Sequence, residues 1–216
     1  MIGMYEGGCL MKVWLLGMFV MLCFQLAVAA VSGEKIIVSL ATAADFQGCL
    51  DLLLANRSFY NPLMEALNRE KGCNLSLLTA DDFAVPEVRQ NILPVSKPYT
   101  EVMVARLEEA GPIVGFVIFQ EQKRTSGNVL LISRLNVAEA MRGKGVGKAL
   151  FAKAVDFCDR HPGITRVAGR ILANNKAMLR LIQVCGFRYT HESTTDAYIP
   201  LEVSVVAFRA YTKGLL

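Results

Sequence analysis

The run Arg142-Gly143-Lys144-Gly145-Val146-Gly147 holds the residue types and spacing best suited to chemistry in this chain. Glycines this dense let the backbone approach an anion without Cβ obstruction. Free N–H groups at the start of a following helix, aided by the helix dipole, then hold the negative charge. The run lies between a strand-like apolar segment, Val129 to Val137, and a helix-like segment, Lys148 to His161. That placement reads as a pyrophosphate cradle.

Spacing separates the kinds of phosphate loop. A Walker loop needs four residues between its glycine and the Gly-Lys pair, then a Ser or Thr for magnesium. Here only three residues separate Gly143 from Gly147-Lys148, and Ala149 has no hydroxyl. The dinucleotide fingerprint needs a third glycine beyond Gly147 and an acidic residue closing a second strand. The chain does not supply that pattern.

What remains is Arg-x-x-Gly-x-Gly. Downstream come a helix from Lys148 to His161, a strand from Ile164 to Leu172, and a second helix that opens on Asn175 and closes on Gly186-Phe187. From about Val129 to Phe187 the chain resembles the acetyl-CoA-binding half of the GCN5-related N-acetyltransferase (GNAT) family. The resemblance implies transfer of an acetyl group from acetyl-CoA, as cosubstrate, to a primary amine on a small molecule or a protein. It also implies that the fourth strand bulges and offers a backbone N–H to the acetyl oxygen, in the stretch Leu135, Asn136 and Val137. The pyrophosphate would rest on the amides of Gly143, Lys144, Gly145, Val146, Gly147 and Lys148, with charge from Arg142 and Lys144. Asn175 would bond the pantetheine arm.

The chain departs from the family at the proton donor. Many members carry a tyrosine seven residues after the asparagine, and that position is Ile182. Tyr189, Tyr198, Tyr211 or water could protonate the departing thiolate instead. Glu101, Glu121 and Glu139 are the carboxylates near the central strands that could act as base, and none is assigned. The missing phenol keeps a second reading open, an acyl-CoA-binding or degenerate domain with an interaction role.

Composition bounds the rest. With 216 residues and 53% hydrophobic content, one domain with an extension is expected. The net charge of +4 comes from scattered Lys and Arg rather than a basic stripe, so nucleic acid is not an expected partner. His161 and His191 are far apart without a cysteine pair nearby, so no metal site is expected. Oligomeric state is not encoded legibly.

Lys12, the apolar run Val13 to Leu26, and Ala27-Val28-Ala29-Ala30 have the three regions of a secretory signal. Residues 1–30 are therefore expected to be a cleaved signal or, since Val13 to Val31 approaches a bilayer span, a membrane anchor. Residues 31–216 would form the GNAT-like domain, exported or tethered to a membrane rather than plainly cytoplasmic. Four cysteines follow the leader, and Cys158 and Cys185 lie on apolar helical faces, where a buried free thiol is the common state.

Apolar periodicity predicts the elements that must position these residues. Lys35 to Leu40 reads as a strand and Ala43 to Ala55 as a helix. Between Asn56 and Lys97, Asn61-Pro62, Lys71-Gly72 and Pro86 should break helices near Leu63 to Leu67 and Val88 to Leu93. Thr100 to Leu107, Ile113 to Gln120 and Val129 to Val137 form a three-stranded meander. Strict alternation places Leu131, Ser133, Leu135 and Val137 on one face of its third strand, with Arg134 and Asn136 on the other. Arg188 to Tyr198 and Val203 to Tyr211 read as closing strands. The fold class is α/β (α+β), with a mixed, largely antiparallel sheet flanked by helices.

Overall fold

A computed structural model describes residues 35–72, 99–189 and 197–213. The expected leader at 1–30, the helix expected near 88–93, Cys73 and His191 lie outside the described residues. The described elements are β1 (Ile37–Leu40), α1 (Phe46–Ala55), α2 (Arg57–Lys71), β2 (Thr100–Arg106), β3 (Gly115–Gln122), β4 (Asn128–Val137), α3 (Val146–Arg160), β5 (Ile164–Leu172), α4 (Lys176–Val184), β6 (Arg188–Tyr189), β7 (Tyr198–Ser204) and α5 (Val205–Lys213). Short 3₁₀ turns at Ala43–Asp45 and Glu139–Met141 precede α1 and α3.

The seven strands form one sheet in the order β1-β2-β3-β4-β5-β7-β6. Every neighbouring pair is antiparallel except β4 and β5, which are parallel and joined through α3, as a crossover requires. The mixed, largely antiparallel sheet read from the sequence is thus present.

Alternation along the central strands feeds two cores, which is why they read as continuous apolar runs. Val102, Val104, Phe116 and Ile118 pack under Cys49, Leu50 and Leu53 of α1. Met103, Ala105, Val117 and Phe119 face the larger core, with Leu150, Phe151 and Phe157 of α3. Cys49, Cys158 and Cys185 are free and buried. Burial pushes the Cys49 thiol up to about 12 and those of Cys158 and Cys185 up to about 11, so they behave as small hydrophobes.

Four expectations are corrected. Pro62 does not break α2, which runs through it. The proline is exposed, and so is Ser58, whose carbonyl loses its helical partner there. Only Gly72, left-handed at φ 64°, ends the helix. On β4, Arg134 pairs with Ile118 and Ile132 with Phe119, so Ser133 is the extra residue of a bulge. The bulge reverses the later alternation: Leu130 and Ile132 share the larger core with Leu135 and Val137, and Leu131 does not. α3 starts at Val146, two residues earlier than the apolar pattern suggested.

The fourth correction is at the C-terminus, where Val203 to Tyr211 is not a strand. β7 ends at Ser204, whose Oγ accepts a hydrogen bond from the Ala207 N–H and caps α5. Val205, Phe208 and Thr212 are buried at helical spacing, a period hidden by the β-branched run that precedes it. A strand would place Val206 and Phe208 on one face; the helix separates them, with Val206 80% exposed and Phe208 at 0%. Phe208→Ala should therefore cost about 3–5 kcal/mol in urea unfolding. Val206→Ala should stay within about 0.5 kcal/mol.

Candidate functional site

The site begins where two strands part. β4 pairs with β3 as far as Val137 opposite Gly115, but with β5 only as far as Ile132 opposite Gly169. β5 continues to Leu172 against β7. The Ala138 N–H bonds Val114 O at 2.8 Å, so the same parity turns the Asn136 backbone toward β3. Leu135 and Val137 consequently present their backbone groups to the opening. Their carbonyls are satisfied: Tyr60 Oη donates to Leu135 O at 3.3 Å, and Asn56 Nδ2 donates to Val137 O at 3.2 Å. Their N–H groups face the same opening.

Asn56 is the hub of this corner. It is 3% exposed and sits at the junction of α1 and α2. Its Nδ2 also lies 3.3 Å from Asn136 Oδ1, and its Oδ1 accepts from Arg142 Nη2 at 2.8 Å. The Arg142 guanidinium stacks over the Phe59 ring at 4.2 Å, and Phe59 meets Tyr60 edge to face at 5.3 Å. One helical corner thus fixes the open end of β4 and the first residue of the glycine loop together. Sequence reading gave no role to Asn56, Phe59 or Tyr60.

The glycine loop uses its three glycines differently. Gly143 and Gly145 hold φ of 78° and 88°, conformations that a side chain resists. Gly147 differs from both, since its φ is not positive. A Cβ there would lie 3.4 Å from Leu181, 3.9 Å from Leu135 and 4.0 Å from Val137, projecting into the gap between β4 and α4. The first α3 bond runs from Ala149 N to Gly145 O at 2.9 Å, so the N–H groups of Val146, Gly147 and Lys148 have no helical acceptor. The Lys144 N–H, by contrast, points to Met141 O at 3.4 Å.

A cleft of about 440 Å³ runs along this gap, a volume within the range of small-molecule sites. Leu135, Val137, Arg142, Gly143, Gly145, Gly147, Lys148 and Asn175 line it, with Phe59, Tyr60 and α4 residues that include Met178 and Leu181. Three expected residues do not line it. Asn136 is 2% exposed, with its side chain on Asn56; Val146 is 1% exposed in the core; Lys144 Nζ lies 3.9 Å from Met141 Sδ. Asn175 caps α4 through Oδ1, which accepts from the Met178 N–H at 3.1 Å, so only its Nδ2 can donate to a ligand.

A second cavity, about 210 Å³, meets the first at Tyr60, Leu135, Asn175 and Met178. It lies toward α1 and α2 and includes Arg134, Arg170 and Tyr198. Of the tyrosines considered as proton donors, Tyr198 lines this cavity, whereas Tyr211 packs on Gly186 and lines neither space. Tyr189 pairs with Leu201 through its backbone. Ile182 is 2% exposed within the core, so its position does not open on the cleft.

The candidate bases fare no better. Glu101 pairs with Arg160, Glu121 bonds Asn128 and, at 3.0 Å, His161 Nδ1, and Glu139 is exposed in its turn. None lines either cavity. Tyr60 is the titratable group common to both. Burial pushes its phenol pKa above the ordinary range, opposed by Arg142 and Arg134. Among the described residues no group of His, Cys, Asp or Glu could hold a metal ion, and no helix is long and apolar enough to cross a membrane.

Residues 63–187 match the model of the acetyltransferase (GNAT) family. A GCN5-related N-acetyltransferase from Kribbella flavida superposes with a TM-score of 0.57 at 21% identity, covering 79% of this chain and 98% of that one. A GNAT-family acetyltransferase from Streptococcus pneumoniae gives 0.54 at 15% identity, covering 79% and 99%. The ribosomal-protein-S18-alanine N-acetyltransferase from Escherichia coli gives 0.51 at 13% identity, covering 79% and 94%. At these identities the likeness is one of fold. No curated protein matches the chain.

Asn56→Leu removes the donor to Val137 O and the acceptor for Arg142 while preserving approximate volume. Each buried group left without a partner should cost about 1–3 kcal/mol in urea unfolding. A loss below about 0.5 kcal/mol would show that the corner does not depend on this amide.

Proposed function

This chain belongs to the acetyltransferase (GNAT) family, and we propose that it transfers an acetyl group from acetyl-CoA to a primary amine, with cofactor in the larger cleft and acceptor in the smaller cavity. The observation that carries this reading is the convergence of unpaired N–H groups. Those of Gly147 and Lys148 stand at one end of the cleft, and those of Leu135 and Val137 beside the opening between β4 and β5.

The residues fit the group. A pyrophosphate needs donors and positive charge, which the start of α3, Lys148 and Arg142 supply, and Gly147 leaves the space that a Cβ would occupy. Asn175 Nδ2 and the apolar walls of Leu135, Val137, Met178 and Leu181 suit an extended arm with amides along it. Acetyl-CoA supplies an activated acetyl thioester, from which transfer forms a C–N bond and breaks a C–S bond. The N–H groups of Leu135 and Val137 are preorganised donors for an acyl oxygen, held in place because their carbonyls are already engaged.

Transfer also requires a proton for the sulfur that leaves. Tyr60 stands where the two cavities meet, burial keeps its phenol protonated through neutral and mildly alkaline pH, and its O–H turns from the long 3.3 Å contact with Leu135 O to the sulfur for this step. It takes the role that Ile182 cannot fill and weakens the case for a merely acyl-CoA-binding domain. The amine loses its proton to solvent, since no carboxylate lines either cavity among the described residues.

Calorimetry and thiol-release kinetics on wild type, Gly147→Val and Tyr60→Phe separate these roles. Gly147 has no positive φ, and valine there should abolish acetyl-CoA binding, with thermal unfolding measured alongside to establish that the variant is folded. Tyr60→Phe should keep acetyl-CoA affinity and lower kcat by about 10²-fold. Acetyl-CoA binding without thiol release for any amine would favour the binding domain. Unchanged affinity in Gly147→Val would remove the cofactor assignment.

A further inference from the structure

Arg134 and Arg170 occupy corresponding places on the two strands that part. Each lies just beyond the last β4–β5 pairing, and both line the smaller cavity on the side toward α1 and α2. The bulge at Ser133 matters here, because it keeps Arg134 on this side while Leu135 turns to the cofactor cleft. Arg134 is partly buried, and Arg170 is exposed at the rim. Around them stand Tyr60, Ser133, Asn175 and Tyr198, and no acidic residue lines the cavity among the described residues. Three other arginines near the sheet, Arg106, Arg160 and Arg166, each pair with a carboxylate.

A guanidinium brought partly out of water without a counter-ion is costly, and an anion from a ligand would offset that cost. Building on the acetyl-transfer reading, we infer that the acceptor is a small amine carrying a carboxylate, of the amino-acid type, whose anionic group is held by Arg134 with Arg170 at the entrance. A planar guanidinium offers two parallel N–H donors that match a carboxylate. The cavity of about 210 Å³ is smaller than sites for drug-sized ligands and suits a metabolite of few atoms. Arg134 is thus a specificity residue. It acts on the part of the acceptor that does not react.

The test uses the full chain with acetyl-CoA and matched acceptors that differ only in a carboxylate: phenylalanine against 2-phenylethylamine, and β-alanine against ethylamine. A peptide with an acidic N-terminal segment forms a third arm. Wild type should favour the carboxylate-bearing member of at least one small pair by about tenfold or more in kcat/KM, the size of one charge-assisted hydrogen bond. Arg134→Gln should abolish that preference by raising KM for the carboxylate amine, with acetyl-CoA affinity unchanged, and Arg134→Lys should restore part of it. The carboxylate amine should also raise the melting temperature of wild type and not of Arg134→Gln, a readout independent of turnover.

Equal or better use of the neutral amines by wild type, or an equal loss for both members of a pair in Arg134→Gln, would overturn the inference. So would the absence of any melting shift, or acetylation of the acidic peptide alone. Calorimetry with acetyl-CoA keeps the two readings apart. Failure to bind acetyl-CoA removes the transferase reading and this inference with it, whereas binding without a carboxylate preference removes only the inference.

Discussion

Two parallel strands that stop pairing release backbone groups that must find partners, and the site of this protein follows from how they do so. Past Ile132 and Gly169, β4 and β5 no longer bond each other. On β4 the protein answers for the carbonyls alone: Tyr60 takes that of Leu135 and Asn56 that of Val137. The N–H groups beside them face the opening. The asymmetry makes the gap a donor site rather than a neutral break in the sheet, and gives α1 and α2 a structural role at the site. Asn56 extends the coupling to the glycine loop through Arg142, so the open strand and the first residue of that loop are fixed by one buried amide.

The bulge at Ser133 decides which side of the sheet each residue serves. Without an extra residue, Leu135 and Val137 would join the α1 face and Arg134 would turn toward α3. With it, the apolar side chains of Leu135 and Val137 line the cleft between α3 and α4, while Arg134 faces the cavity under α1 and α2. The two spaces therefore lie on opposite sides of the same strand. They meet at Leu135, Tyr60, Asn175 and Met178, which border both spaces.

What the sequence made legible is what depends on local chemistry. The glycine loop declares itself because left-handed φ at Gly143 and Gly145 favours glycine at both positions, and Gly147 keeps the gap beside Leu181 open. The strand Ile164–Leu172, the Asn175 cap and the left-handed Gly186 are local signals of the same kind. What stayed hidden depends on tertiary pairing. Asn56 meets Asn136 across 80 residues, and Tyr60 meets Leu135 across 75, in a segment that reads only as broken helix. No glycine or proline beside Ser133 announces a bulge, and the valines that open α5 mimic a strand until the burial of Phe208 is seen.

Amide hydrogen exchange with and without acetyl-CoA tests the central claim most directly, because that claim concerns individual backbone N–H groups. Saturating acetyl-CoA should slow exchange in two separate stretches, Leu135 to Val137 and Gly145 to Lys148. The interior of β2, far from the opening, should exchange at the same rate. Protection confined to other parts of the chain, or none in either stretch under saturating ligand, would contradict a site built from the unpaired amides of β4 and α3.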